Sequence, residues 1–316
     1  VYKRQLKGWR LTRKMSFDLM LGGSGLVAPT TAVLSRIAKA RSVILVHGLD
    51  LVVDNVVYQR FFVPFLRRHD RVIANSQNTR RIASEKGCQS SRILVVNPGS
   101  TIPPESALRD KVRLRTDLGF ADNKIVLFVG RMVRRKGLAE FLEEAWPRVT
   151  NAEPDALLLI AGDSPNDALL KDPKGAKRLM AAIERCGSDT LRFLGSVEDD
   201  LLWNCYTAAD ALVFPLIRVK GDVEGFGMVA IEAAASGTPT VAFPVGGVGD
   251  AVADGVSGIL VPEGDYAAFA DAVVTLCRGG PPGPSDCRRH AEKFSWDVHS
   301  RNLLRAVDFA AETRSQ

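Results

Sequence analysis

Two stretches of the chain concentrate residues able to do chemistry. The first is Glu224-Gly225-Phe226-Gly227-Met228-Val229-Ala230-Ile231-Glu232, two carboxylates with seven residues between them and a glycine-rich turn opening onto a helix-forming run. Gly225 and Gly227 let backbone N–H groups approach an anion closely, and a helix N-terminus carries about half a positive charge. The pattern predicts a seat for a diphosphate. With a helix starting near Phe226, Glu232 falls within its first two turns on the face that looks back at the loop, where an acceptor-only carboxylate can grip a ribose diol. Glu224, just ahead of the helix, reaches the sugar of such a ligand. The second stretch is Gly130-Arg131-Met132-Val133-Arg134-Arg135-Lys136-Gly137, which follows the apolar run Ile125 to Val129 and precedes a helical pattern. Arg131 and Lys136 supply a planar fork and a point charge, a pairing suited to clamping two phosphates. As bare patterns, Glu224 could instead complement a helix dipole and the basic run could be a solvated face.

Positioning these residues requires strands that end at the loops just named. Short apolar runs alternate with longer amphipathic ones from about residue 17. Phe17 to Leu21, Ser42 to Val46, Arg71 to Ala74 and Arg92 to Val96 read as strands, with helices such as Thr31 to Ala40 and Asn78 to Lys86 between them. That βαβ rhythm predicts a parallel sheet. The stretch from Asn97 to Glu105 breaks both periods with Pro and Gly and reads as a hinge. The rhythm then restarts with Ile125 to Val129, Ala156 to Ile160, Leu191 to Phe193, Ala211 to Phe214, Thr240 to Ala242 and Gly258 to Val261. A second doubly wound sheet follows, and the loops at Gly130, Gly162, Gly195, Pro215 and Phe243 should share the rim where such sheets bind ligands. A last helix is expected over roughly Val298 to Thr313, with Ser295 or Asp297 able to cap it.

The chain has 316 residues, 46% hydrophobic and 25% charged, an ordinary globular composition long enough for two domains. A net charge of +6 fits nucleic acid, an anionic membrane surface or anionic small molecules. The basic residues sit in separate loops without interleaved aromatics, which argues against nucleic acid. The five cysteines are widely spaced with no C-x-x-C pair, which argues against a disulfide framework or a zinc site and fits a reducing cytoplasm. The longest apolar runs are strand-length, short of the roughly 20 residues of a membrane span. Residues 1–5, Val-Tyr-Lys-Arg-Gln, read as a sequencing-adapter scar, so that the natural protein would extend further upstream. Gly23-Ser24-Gly25-Leu26-Val27-Ala28 follows a strand and matches the dinucleotide fingerprint G-x-G-x-x-A. The acidic residue such a site needs at the end of the next strand is replaced by His47, with Asp50 a turn too late, and the stretch reads as a strand-to-helix turn.

The two chemical stretches, in this order, together with Leu159-Ile160-Ala161-Gly162-Asp163, the turn Gly195-Ser196-Val197, the run from Ala233 to Pro239 and Gly246-Gly247, resemble the donor site of glycosyltransferase family 4. The resemblance runs from residue 17 to about 310. It implies an α/β GT-B architecture: two Rossmann-like, doubly wound parallel-sheet domains facing a cleft, the first incomplete. The domain ranges are then 6–105 for the partial acceptor-side domain, 106–295 for the nucleotide-sugar domain, and 296–316 for a helix with a path back to the first. By the resemblance Arg131 and Lys136 hold the diphosphate, Glu232 the ribose, the Val197 backbone the base, and Glu224 with Gly225, Phe226, Gly227 and Met228 the transferred sugar. His47 stands where family members carry a histidine facing the cleft, able to bond the sugar or the leaving phosphate; without the resemblance it is an ordinary strand-end histidine. The text Gly221-Asp222-Val223-Glu224-Gly225 looks like the phosphatidylinositol mannosyltransferases of that family. Asn97-Pro98-Gly99 and Asp250 depart from its usual residues, and the family's opening strand and Gly-rich loop have no counterpart before Phe17.

The resemblance implies a retaining transferase that moves a hexosyl group of mannose or glucose type from a nucleoside-diphosphate sugar to an acceptor hydroxyl of a lipid or cell-envelope glycan. No metal or cofactor takes part, and the location is cytoplasmic or peripheral at the inner membrane face. Glu224 then orients the sugar, because a hydrolase would flank the bond with carboxylates on opposite sides. A non-catalytic nucleotide-sugar-binding module is the competing expectation. Asn75-Ser76 reads as structural, with Ser76 or Asn78 capping the next helix. Arg60, Arg67, Arg68 and Arg71 with Phe61, Phe62 and Phe65 form either a membrane-facing basic patch or an amphipathic core helix.

Overall fold

The computed structural model describes residues 9–12, 14–104, 110–162 and 172–309. The scar at residues 1–5, Glu105 with the 105/106 boundary, and Asp163 lie outside the described residues. The chain packs as two compact units. Of the described residues, those up to Gly99, Lys220–Phe226 and those from Trp296 onward form unit 1, and Ser100–Val219 with Gly227–Ser295 form unit 2.

Unit 1 is a parallel four-stranded sheet in the order β1 (Leu19–Gly22), β2 (Arg41–Val46), β3 (Arg71–Ala74), β4 (Ile93–Val95). Alternate residues of these strands supply two separate cores, as the pleat requires. Ile44, Val46, Val72 and Ala74 pack with Leu51, Leu66 and Ile82 on one face. Val43, Ile73 and Val96 pack on the other against Ala306 and Leu303 of the helix Trp296–Val307. Crossover helices α1 (Ala28–Ala38) and α2 (Gln77–Glu85) connect the strands. The hydroxyl of Ser76 caps α2 by accepting from the Thr79 amide at 3.1 Å. The segment Lys220–Phe226 belongs to this unit through Val223, which packs on the first core.

The basic stretch expected at residues 60–71 does not form one patch. Arg71 is buried: its guanidinium donates to the carbonyls of Ala306 (2.7 Å) and Asp308 (3.1 Å) and lies 3.9 Å from the Phe309 ring centre. Arg67 donates to the Lys86 carbonyl at 2.8 Å, and Phe65 packs on the core. The run breaks up because the sheet sends Arg71, the first residue of β3, beneath the helix Trp296–Val307. Val56, Val57 and Phe61, by contrast, stand 79, 61 and 59% exposed beside the exposed Arg60.

Unit 2 holds six parallel strands in the order β10-β9-β8-β5-β6-β7, with β5 Lys124–Val129, β6 Ala156–Ala161, β7 Leu191–Gly195, β8 Ala211–Phe214, β9 Thr240–Ala242 and β10 Gly258–Leu260. The near-continuous apolar text of β5, β6 and β8 reflects burial on both faces. Its helices include α3 (Pro173–Cys186), α4 (Asp199–Ala208) and α5 (Met228–Ala235). The five cysteines are unpaired thiols, four of them buried and Cys186 half-buried. Among the described residues no helix is long and apolar enough to cross a membrane.

The switch in strand order lies between β5 and β8, and one carboxylate ties the two at their N-terminal ends. Asp210 accepts the Ile125 amide at 2.8 Å and pairs with Lys111 (3.0 Å) and Arg115 (2.7 Å). Burial pulls the Lys111 ammonium below the usual lysine range, against the opposing pull of Asp210. Removing the carboxylate takes the counter-charge from Lys111 and Arg115 and the acceptor from the Ile125 amide, although the two cations keep the carbonyls of Ala209 and Ala208. Asp210→Ala is expected to lower the unfolding free energy by about 3 kcal/mol, read as a lower urea midpoint at an unchanged slope.

Candidate functional site

All six strands of unit 2 point the same way, so the loops after β5 and β8 flank the switch point at one edge of the sheet, where open α/β sheets bind ligands. The β5 loop curls into a short 3-10 turn at Arg134–Lys136 and ends on Gly137, whose φ is +66°. A side chain there would put its Cβ 1.8 Å from the Pro215 carbonyl oxygen, so only glycine lets this loop press against the start of the β8 loop. Lys136 is 7% exposed, and its ammonium sits 4.6 Å from the centre of the Phe214 ring at the end of β8. Gly227, the N-cap of α5, lies on the same ring: a Cβ there would be 3.0 Å from Phe214 Cε1. No side chain caps α5, which starts at Met228 rather than at Phe226 because Gly227 takes a φ of +111°. A cation and a helix N-terminus thus converge on one aromatic ring. Arg131 is exposed at the opening of the same loop.

One turn into α5, Glu232 accepts a 2.7 Å hydrogen bond from the hydroxyl of Tyr206 on α4. Tyr206 is itself buried, and burial, then the Glu232 charge, holds its hydroxyl well above the usual range, so it acts as a donor. Burial raises the Glu232 carboxyl, the Tyr206 bond lowers it, and Asp199 raises it again. Asp199 is the first residue of α4, two positions after Val197, which brings the β7 turn into the electrostatic neighbourhood of Glu232.

In unit 1, Gly225 lies against the end of β2. A Cβ on Gly225 would be 2.1 Å from the His47 carbonyl oxygen and 2.8 Å from Asn75 Nδ2. Gly48, at φ +94°, leaves room in the same way, with the Gly225 Cα 3.3 Å from where its Cβ would be. The two residues flanking this contact, His47 and Glu224, are the ones the sequence assigned to the sugar and leaving group. His47 Nε2 is 2.8 Å from the Gly23 carbonyl. Asp50 accepts the His47 amide with one oxygen and the Gly25 amide with the other, both at 2.8 Å.

Residues 123–278 match the sequence model of the family described as "Glycosyl transferases group 1". A D-inositol 3-phosphate glycosyltransferase of Geodermatophilus obscurus is 37% identical over 248 residues, 77% of this chain and 53% of its own. Its namesake from Mycolicibacterium smegmatis is 38% identical over 242 residues, 75% of this chain and 52% of that protein. The chain spans about half the length of the curated relatives it matches. Among solved structures, Anabaena Alr3699/HepE in complex with UDP shares the fold, with a TM-score of 0.79 over 97% of this chain and 81% of that one at 23% identity. The fold is therefore the expected α/β GT-B class, built on two parallel sheets.

Within unit 2 the sequence missed Phe214 and Tyr206. Phe214 ends a wholly buried strand and reads only as core, and Tyr206 sits on a helix whose register toward Glu232 has no local signal. In unit 1, the Asp50 carboxylate occupies the Gly25 amide that a dinucleotide pyrophosphate would need, so the glycine-rich fingerprint there is filled by the protein itself.

The raised Glu232 carboxyl has a stability consequence. A carboxyl whose folded pKa lies above its unfolded value binds its proton more tightly in the folded protein. The resulting penalty is absent below the unfolded value near 4.5, grows as pH rises through the raised one, and is fully present above it. Glu232→Gln, which keeps an acceptor for Tyr206, is expected to raise the Tm of the ligand-free protein at pH 7. The gain should vanish near pH 4, and calorimetric scans at the two pH values measure it.

Proposed function

We propose that this protein is a retaining, metal-independent glycosyltransferase that moves a hexosyl group from a nucleoside-diphosphate sugar to an acceptor hydroxyl. The observation that carries the reading is the convergence of the Lys136 ammonium and the N-terminus of α5 on Phe214, a cationic seat at the strand switch. The names of the relatives, and the UDP in the HepE complex, support the donor class. Lys136 and Arg131 hold the diphosphate with the amides that open α5, and take over the neutralisation that a metal would otherwise give. Glu232, anchored by Tyr206, accepts from the ribose diol, and the Val197 backbone meets the base.

Glu224 orients the transferred sugar with the backbone from Gly225 to Met228, and His47 bonds the sugar or the leaving phosphate. The acceptor hydroxyl attacks the anomeric carbon on the face the nucleotide leaves. The C–O bond to phosphate breaks, the glycosidic bond forms, and the hydroxyl proton passes to the departing phosphate oxygen. The acceptor class we favour is a lipid or cell-envelope glycan at the cytoplasmic membrane surface. The exposed Val56, Val57 and Phe61 beside Arg60 support that choice, since apolar side chains with a flanking cation suit an anionic bilayer.

Calorimetry with nucleoside diphosphates tests the seat. Lys136→Ala should weaken binding about 30- to 150-fold, the loss of about 2–3 kcal/mol for a charge-assisted contact. Wild-type affinity in that variant would remove the basis of the proposal. Product anomers read by proton NMR, and turnover with and without EDTA, test retention and metal independence. Donor binding without any transfer would favour the non-catalytic module.

A further inference from the structure

Asp50 and the loop from Gly23 to Gly25 have no part in the reading above, yet they are built around His47. One Asp50 oxygen takes the His47 N–H and the other takes the Gly25 N–H, each at 2.8 Å. Ser24 Oγ stands 3.5 Å from the second oxygen, and the same hydroxyl accepts the Leu26 amide. The loop is therefore wrapped around the carboxylate. Its glycines follow from this: a Cβ on Gly25 would lie 3.0 Å from the Tyr58 hydroxyl and 3.2 Å from Asp50 Oδ2, while one on Gly22 would lie 2.4 Å from Ile44 Cδ1. The wrapped loop delivers the Gly23 carbonyl to His47 Nε2 at 2.8 Å.

A carbonyl oxygen only accepts, so this contact requires the proton on Nε2. Neutral imidazole has one N–H, which leaves the lone pair on Nδ1. His47 is exposed and lines an open groove of about 470 Å³ with Leu26, Leu49, Val53 and Tyr58. We propose that Asp50 is a positioning residue that locks His47 in the Nε2–H form and so makes Nδ1 the ring nitrogen that meets substrate. The second half of this statement rests on the transferase reading; the lock itself does not. His47 then presents Nδ1 as a hydrogen-bond acceptor to a sugar hydroxyl, while the acceptor's own proton still passes to the departing phosphate oxygen.

Two other histidines serve as opposite references in the same molecule. His69 and His299 direct Nδ1 at the carbonyls of Phe65 (3.0 Å) and Asn97 (2.8 Å), and so carry the proton on Nδ1. Long-range proton–nitrogen NMR of the histidine-labelled full chain resolves the four rings, with His47→Gln identifying the signal. The wild type should show His47 protonated on Nε2, opposite to His69 and His299. In Asp50→Asn an amide nitrogen must face one of the two N–H donors, so one loop is released and an Nδ1–H population appears. In that variant kcat should fall about 10- to 100-fold, as when a group orienting an imidazole is lost, with nucleoside-diphosphate affinity within about twofold of wild type because unit 2 is untouched. A wild-type ring protonated on Nδ1 overturns the proposal even if Asp50→Asn does not fold. An Asp50→Asn protein with unchanged tautomer and unchanged kcat overturns it as well. Should the wild type show the Nε2–H form but transfer no sugar, the transferase reading fails and the lock stands.

Discussion

An ammonium held almost out of water at a break in strand order is the constraint to which unit 2 answers. Burying Lys136 is costly, and the fold offsets the cost with the π face of Phe214 and by packing the lysine stem beside Gly130, where a Cβ would already be 3.4 Å from Lys136 Cε. The loop can reach that ring only because Gly137 tolerates the Pro215 carbonyl, and α5 can begin above it only because Gly227 has no side chain. Strand order, two glycines and one phenylalanine together hold a positive charge ready at the sheet edge before any anion arrives. For the proposed donor, preorganisation of this kind would spare reorganisation at the moment of reaction.

Much of this was legible in the residues. Each of the ten expected strands forms, with ends shifted by two residues or fewer, because parallel strands buried on both faces leave continuous apolar runs bounded by Gly and Pro. For the same reason the two chemical stretches follow β5 and β8, as their place after apolar runs predicts. What could not be read was partnership across sequence. Nothing near Glu232 announces Tyr206, 26 residues earlier, and nothing near Arg71 announces carbonyls at 306 and 308. In the basic run at 60–71, charge in a local window says nothing of which residue starts a central strand. Likewise Asp50 looked a turn too late for a nucleotide and proved to be in place for a loop amide.

The segment through Gly225 shows glycine serving close approach rather than turning. Its α-carbon comes near the β2 end at a distance no other residue allows, which sets Glu224 beside the His47 turn. Glu232 illustrates the opposite economy. Its carboxylate is kept where burial disfavours the charge, a local cost to the resting fold.

The thiols carry a practical consequence. Burial pushes Cys205 to about 11 and both Cys277 and Cys287 to about 12, and it raises Cys88 and Cys186 in the same direction. Little thiolate is therefore present at neutral pH to attack an alkylating dye. A cysteine introduced on an exposed loop would outcompete all five natural ones, so fluorescent or spin probes for watching the two units can be attached without first stripping the native sulfur from the core.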